Sequence, residues 1–270
     1  VNRKRILIIA SSIILSGIIF VVVGFMTSQG IQVNYHEIDK DFDLKIAQFS
    51  DTHFDNKYVR EDYNVMVDTV NDEEVDLLIF TGDMFQITDV SLELEESITS
   101  LLSEINADYK LAVLGNHDYF GSTTLTNRII TILEDSGFTV LINESITYVI
   151  NDQTFNFIGF DDLMMGDSNY SDVLGEVDEN AINFVLSHEP DTFDSILNTD
   201  CVAMFSGHSH GGQIRLPIIG DIYNVEGARK YNDHHYEVDG KDLYISFGMG
   251  ESVIRVRFYN RRQFEIYNYS

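Results

Sequence analysis

Cysteine is all but missing, with Cys201 the only one in 270 residues. That excludes an internal disulfide framework and, within one chain, a zinc site built from several thiolates. Any metal would have to be held by His, Asp, Glu, Asn or backbone oxygen. Basic residues are scarce as well: 17 Lys and Arg stand against 44 Asp and Glu, for a net charge of −27. Arg3, Lys4 and Arg5 lie together at the start, so the remainder is more acidic still. Such a surface repels polyanions and argues against nucleic acid as partner or substrate. It is compatible with a small anionic substrate, because bound cations reverse the local field inside a cleft. There is no internal repeat and no low-complexity tract. Hydrophobic residues at 44% and aromatics at 12% are sufficient for a packed core.

Residues Ile6 to Met26 form an uncharged run, ILIIASSIILSGIIFVVVGFM. As a helix at about 1.5 Å per residue it reaches roughly 31 Å, close to the hydrocarbon thickness of a bilayer. Arg3, Lys4 and Arg5 precede the run, and the next basic residue is Lys40, among acids. The asymmetry predicts residues 1–5 in the cytoplasm, a transmembrane anchor over 6–26, and the large domain across the membrane. The expected localisation is therefore the cell membrane, single-pass, with the functional domain extracytoplasmic. A cleaved signal peptide fits less well, since the run is long and Met26-Thr27-Ser28-Gln29 lacks a small-x-small pattern. A twin-arginine signal is weaker again, because the cluster reads Arg-Lys-Arg. Residues 27–43 read as a linker or a first edge strand, and residues 44–270 as the globular domain.

Beyond that point strand-length apolar segments alternate with helical patterns. Strands are predicted at 44–49, 75–80 and 110–114, with helical spacing over 61–74, 91–105 and through 129–133. The chain then turns β-rich. A hairpin is expected at 146–150 and 154–160 around Asn151-Asp152-Gln153, and strands at 182–186, 202–205, 243–247, 253–258 and 264–267. Repeated β then α implies a largely parallel sheet with helical cover. In such sheets functional groups gather beyond the carboxyl ends of the strands. Every His/Asp cluster falls there: Asp51-x-His53, Gly82-Asp83, Gly115-Asn116-His117-Asp118, His188, and Gly207-His208-x-His210. They hold five of the eight histidines, and that shared position carries more than any single triplet.

The residue types suit metal-assisted phosphoryl chemistry. Two divalent cations about 3.5–4 Å apart can clamp the attacking and leaving oxygens of an in-line displacement. A carboxylate between them screens their repulsion, an amide oxygen adds a neutral ligand, and a nearby His can protonate the leaving alkoxide. Mixed carboxylate and imidazole ligands suit Mn, Fe or Zn better than Mg or Ca.

The order D-x-H, G-D, G-N-H-D, H, G-H-x-H resembles the calcineurin-like metallophosphoesterases and spans residues 51–210. The longer segment from Gly207 to Pro217, with Ser187-His188-Glu189-Pro190-Asp191, is similar to a membrane-associated bacterial branch, the YkuE/YaeI-like phosphodiesterases. The resemblance implies an α/β fold, a four-layer β-sandwich of two mixed sheets flanked by helices, here preceded by one transmembrane helix. It implies that Asp51, His53 and His210 bind the first metal, with Asp83 bridging to the second. Asn116, His188 and His208 would complete the second site. His117 would be the catalytic acid, Asp118 would orient it, and a metal-bridging hydroxide would attack a phosphodiester or phosphomonoester of the cell envelope. Partners would be the lipid bilayer, through residues 6–26, and a small anionic phosphate ester. Two alternatives share the fold: cleavage of a pyrophosphate of the UDP-2,3-diacylglucosamine type, and a non-catalytic binding module. Gln86 stands where many members carry an acid after G-D-x-x, outside the ligand set. His234-His235 read as a solvated loop, and 161–178 as an acidic surface insertion near the cleft.

Overall fold

The computed structural model describes residues 3–252 and 255–270, with the helical backbone alone for residues 5–8. Helix α1 (Arg3–Met26) is followed by β1 (Ile31–Ile38) and β2 (Leu44–Phe49). Helices and strands then alternate: α2 (Asn64–Glu73), β3 (Leu77–Thr81), α3 (Leu92–Ser103), β4 (Tyr109–Val113), α4 (Thr123–Asp135) and β5 (Thr139–Val140). Next come β6 (Glu144–Ile150), β7 (Gln153–Gly159), α5 (Ser171–Leu174), β8 (Ile182–Leu186) and β9 (Cys201–Ser206). Last are β10 (Arg215–Leu216), β11 (Gly220–Asp221), β12 (His235–Val238), β13 (Lys241–Ile245) and β14 (Arg262–Tyr269).

The strands make two mixed six-stranded sheets, ordered β1-β14-β2-β3-β4-β5 and β12-β13-β9-β8-β7-β6. Side chains alternate across each strand, so strands buried on both faces read as continuous apolar runs. In β3, Leu77 and Ile79 face the second sheet, where they meet Phe157, Phe184 and Phe205. Leu78 and Phe80 face the other way, onto Met66 of α2, Ile98 of α3 and Ile129 of α4. The outer face of the second sheet is covered by Val173 of α5 with Phe193 and Ile196. The result is four layers, helix, sheet, sheet and shorter helical cover, as the family resemblance implies.

Local signals account for the helix ends. Ser91 caps α3 by accepting from Leu94 N at 3.2 Å, and Ser122 caps α4 at Leu125 N. Gly137, at φ +89°, turns the chain after α4 while Phe138 N returns to Leu133 O at 3.0 Å. Residues 31–38 form an edge strand parallel to β14, so the linker reading of that stretch gives way to the strand. The strand predicted over 253–258 begins on residues 253 and 254, which lie outside the described residues. Of the rest, only Phe258 makes a bridge, to Ile214.

Helix α1 is long and apolar enough from Ile9 to Met26 to cross a bilayer. It has almost no packed face, since Gly24 alone in that stretch is buried.

Candidate metal centre

The five clusters meet where the carboxyl ends of the parallel strands from both sheets converge. Asp51 and His53 follow β2, Asp83 follows β3, Asn116 and His117 follow β4, His188 follows β8, and His208 and His210 follow β9. Below them Gln48 binds the two sheets together, donating to Ser206 O at 2.9 Å and accepting from Tyr267 Oη at 2.8 Å. Five site residues, Asp51, His53, Asp83, His208 and His210, hold positive φ between 43° and 64°. Non-glycine residues avoid that region, and its clustering at one place marks strain held by the surrounding fold. The glycines at the turns are needed for space. A Cβ on Gly115 would lie 2.4 Å from Asp83 Oδ1, and one on Gly207 would lie 2.0 Å from Ser50 Oγ.

Three groups of ligand atoms draw together: Asp51, His53 and His210; His53, Asp83 and His117; Asp83, His188 and His208. His210 Nε2 is 3.2 Å from Asp51 Oδ1 and 3.0 Å from His53 Nε2. Asp83 Oδ2 lies 3.5 Å from His53 Nε2 and 3.3 Å from His188 Nε2, so one carboxylate oxygen faces both groups. His208 Nδ1 is 3.1 Å from His188 Nε2. The outer nitrogens are fixed by carbonyls, which can only accept. His188 Nδ1 donates to Thr81 O and His208 Nε2 to Glu226 O, each at 2.6 Å. In the neutral rings the opposite nitrogens, which face the cluster, therefore carry the lone pairs. Asp51 Oδ1 and Asn116 Oδ1 are buried without a hydrogen-bond partner among the described residues. Buried orphan acceptors beside inward lone pairs fit divalent cations better than a packed polar core.

Electrostatics agree with a donor set suited to cations. Burial pushes Asp51 up to about 6 against the pull of His188. Burial also raises Asp83, yet the charge and hydrogen bond of His188, then His53, outweigh it and hold Asp83 well below the usual carboxylate range. The same pairing with Asp83 lifts His188 well above 6.5 although its burial acts the other way. Burial holds His53 at about 3 and His208 at about 4, and it lowers His117 and His210.

His117 stands at the rim, its ring edge-on to His53 at 4.7 Å and tilted against Phe120 at 4.6 Å. The resemblance makes Asp118 the group that orients that ring; the hydrogen bonds seen to its carboxylate come from backbone amides instead. Its carboxylate is fully buried and accepts from Asp83 N and Gly115 N at 2.9 Å and from Met84 N at 2.8 Å. With donors from both loops, Asp118 pins the β3 and β4 loops to each other. Burial and then Asp83 raise it to about 7, against the three backbone donors.

Sequence reasoning passed over Arg257. Its fully buried guanidinium donates to Phe247 O at 2.7 Å and Gly250 O at 2.6 Å, and lies 3.3 Å from His210 Nδ1. Glu189 was also missed beyond its place in a motif. It is buried beside Asp162, and burial raises its carboxyl well above the ordinary value. A single sequence offers no signal that either charge is internal. The 161–178 segment is a built loop: Asp162 Oδ1 caps Met164 N and Met165 N, and Tyr170 stacks on Phe160 at 4.1 Å. Of the His234-His235 pair, His234 is half-buried and stacks on Phe247 at 3.7 Å, whereas His235 is exposed. A cleft of about 340 Å³ opens beside His53, bounded by Ser28, Gln29 and Gly30 and lined by both cations (Lys57, Arg255, Arg262) and acids (Asp55, Asp62, Glu251).

Comparison with known proteins matches residues 44–212 to the calcineurin-like phosphoesterase family. The metallophosphoesterase YkuE of Bacillus subtilis (strain 168) is 30% identical over 226 residues, 83% of this chain and 78% of that protein. Phosphodiesterase YaeI of Escherichia coli (strain K12) is 26% identical over 66% of this chain and 65% of its own. UDP-2,3-diacylglucosamine pyrophosphatase LpxG of Chlamydia trachomatis serovar D is 26% identical over 80% of each chain. With the strand-end cluster already in view, the conclusion is plain: this chain belongs to the calcineurin-like phosphoesterase family and is a metal-dependent phosphoesterase.

Proposed function

We propose that this chain is a membrane-anchored hydrolase of a phosphodiester or phosphomonoester in the cell envelope, working with two divalent ions. The observation that carries the reading is Asp83 Oδ2, facing His53 on one side and His188 on the other. Asp51, His53 and His210 would hold one ion, Asn116, His188 and His208 the other, and Asp83 would serve both. Mn, Zn or Fe suits that donor set. Such ions supply Lewis acidity toward the phosphoryl group and make water a competent nucleophile near neutral pH. The chain's own residues do the rest. His117 offers a proton at the rim, where a leaving alkoxide would depart. Asp118 fixes the loops that carry Asp83 and Asn116. Lys57, Arg255 and Arg262 line the adjoining cleft together with Asp55, Asp62 and Glu251, and Arg255 pairs with Asp55, so the wall is of mixed charge.

The apolar run in α1 and the basic cluster before it support an anchor over 6–26 and a catalytic domain over 44–270 outside the cytoplasm. The decisive assay uses the purified full chain with bis-p-nitrophenyl phosphate and added Mn or Zn. Turnover is expected, and an inert metal-loaded protein across a broad panel of phosphate esters would overturn the reading. The likeness to LpxG over 80% of both chains supports a second reading, cleavage of a pyrophosphate in a lipid-linked nucleotide sugar. Such a substrate lies on the cytoplasmic side, so a compartment reporter fused at the C-terminus separates the two.

A further inference from the structure

Outside α1, the exposed large apolar side chains among the described residues stand mostly alone, as Tyr35, Val65, Leu92 and Val149 do. The hairpin of β10 and β11 is different. Within six residues it presents Ile218, fully exposed, Ile219 at 72%, Ile222 at 56% and Tyr223 at 68%. A contiguous exposed apolar patch of that kind marks a contact surface.

Its attachment points to what it contacts. Arg215 N donates to Phe258 O at 2.9 Å and Phe258 N to Gln213 O at 3.0 Å, so the hairpin springs directly from Phe258. Phe258 packs edge-on to Phe20 at 5.6 Å and Phe25 at 5.4 Å. It also covers Gly24 so closely that a Cβ there would lie 2.1 Å from the ring. Tyr259 N donates to Gly24 O and Tyr259 Oη to Phe20 O, both at 3.2 Å. Phe20 lies six residues before the end of α1, about 9 Å along the helix axis. The Phe258–Tyr259 pair therefore reaches alongside the span itself, and the hairpin is its immediate neighbour.

The same segment leads into the metal centre. Asn260 Nδ2 donates to His210 O at 2.7 Å, and Asn260 N lies 3.3 Å from Ser28 Oγ just beyond α1. Ser28, Gln29 and Gly30 also bound the cleft that reaches His53.

We propose that residues 216–223 are a second membrane-contacting element, which enters the lipid surface beside α1 and holds the metal centre at the interface. The proposal rests on the reading of α1 as a membrane anchor. It assigns the partner of the hairpin as a lipid bilayer and places the cleft where phosphate esters carried by lipids are presented. An apolar contact also offsets the repulsion between an acidic domain and anionic headgroups.

The chain contains no tryptophan, so Ile218→Trp and, in mid-helix, Ile14→Trp each create a single reporter. The two full-length variants are reconstituted in phosphatidylcholine–phosphatidylglycerol vesicles with brominated acyl chains. Bromine is expected to cut the emission of both by half or more. Adding Ile219→Asp and Ile222→Asp to Ile218→Trp should abolish the quenching at 218, while the same pair leaves quenching at Ile14→Trp intact. Quenching at 14 but none at 218 puts the hairpin in water and overturns the proposal, with the anchor reading standing. No quenching at either site overturns the anchor reading itself.

Discussion

If one oxygen of Asp83 serves two cations, neutralising that carboxylate weakens both sites together. Asp83→Asn should lower the metal content from two ions per chain to one or fewer, measured by mass spectrometry, and reduce turnover to background. His117→Ala should behave differently, because its ring sits at the rim and supplies a proton. Its metal content should stay at two while kcat falls roughly 10²–10⁴-fold. Full activity in either variant would break the assignment. Metal loading must also displace protons. Burial lowers His188, but Asp83 outweighs it and lifts the ring well above 6.5, so an ion binding at Nε2 competes with a proton there. Asp51, at about 6, begins to bind a proton as pH falls through that value. Proton release should therefore grow, and affinity drop, as pH falls from 7 to 5. Calorimetry in buffers of different ionisation enthalpy reads both, and pH-independent binding would contradict the ligand set. Asp118 belongs to a separate test. Asp118→Ala strands three buried N–H groups at about 1–3 kcal/mol each, so a large fall in the denaturation midpoint is expected.

Much of the element scale was legible in the sequence. Runs such as Leu77-Leu78-Ile79-Phe80 signal strands buried on both faces, and the placement of each His/Asp cluster after such a run locates the site. What escaped is decided by partners distant in sequence. The segment 253–258 has strand-like composition, yet among its described residues only Phe258 makes a bridge, and the Arg257 side chain turns inward onto the 247–250 turn. Asp118 sits next to His117 in sequence, yet its oxygens turn inward to three backbone amides because the β3 and β4 loops close over it. The left-handed backbone at Asp51, His53, Asp83, His208 and His210 falls on Asp and His, which tolerate it better than most residues, but that preference is too weak to mark the positions in a single sequence. Arg257→Met keeps the volume but leaves the carbonyls of Phe247 and Gly250 without their donor. It should cost about 2 kcal/mol or more by denaturant titration. It should also loosen metal retention during dialysis against a chelator by about 10–100-fold, because the turn that Arg257 holds packs behind Asp51, with Gly250 N donating to Asp51 O at 2.6 Å. Wild-type retention would show that Arg257 serves packing alone.

At the scale of the whole molecule, a net charge of −27 opposes the approach of any anion. Screening should relieve that opposition, so kcat/KM for bis-p-nitrophenyl phosphate should rise, by about twofold or more, between 20 and 200 mM salt. A fall would mean that the cations lining the cleft, Lys57, Arg255 and Arg262, outweigh its acids in guiding encounter. The sheet order carries a different consequence. Strand β14 lies between β1 and β2, pairing residues 262–269 with 31–38 on one side and 44–48 on the other. A ribosome adding about 5–20 residues per second needs roughly ten seconds or more between making residue 38 and residue 262. During that interval the first strand has left the ribosome but has no neighbour, and the site-bearing sheet cannot close. The centre thus waits on a strand made well after His210, so a chain interrupted between 210 and 262 would carry every candidate ligand without the scaffold that aligns them.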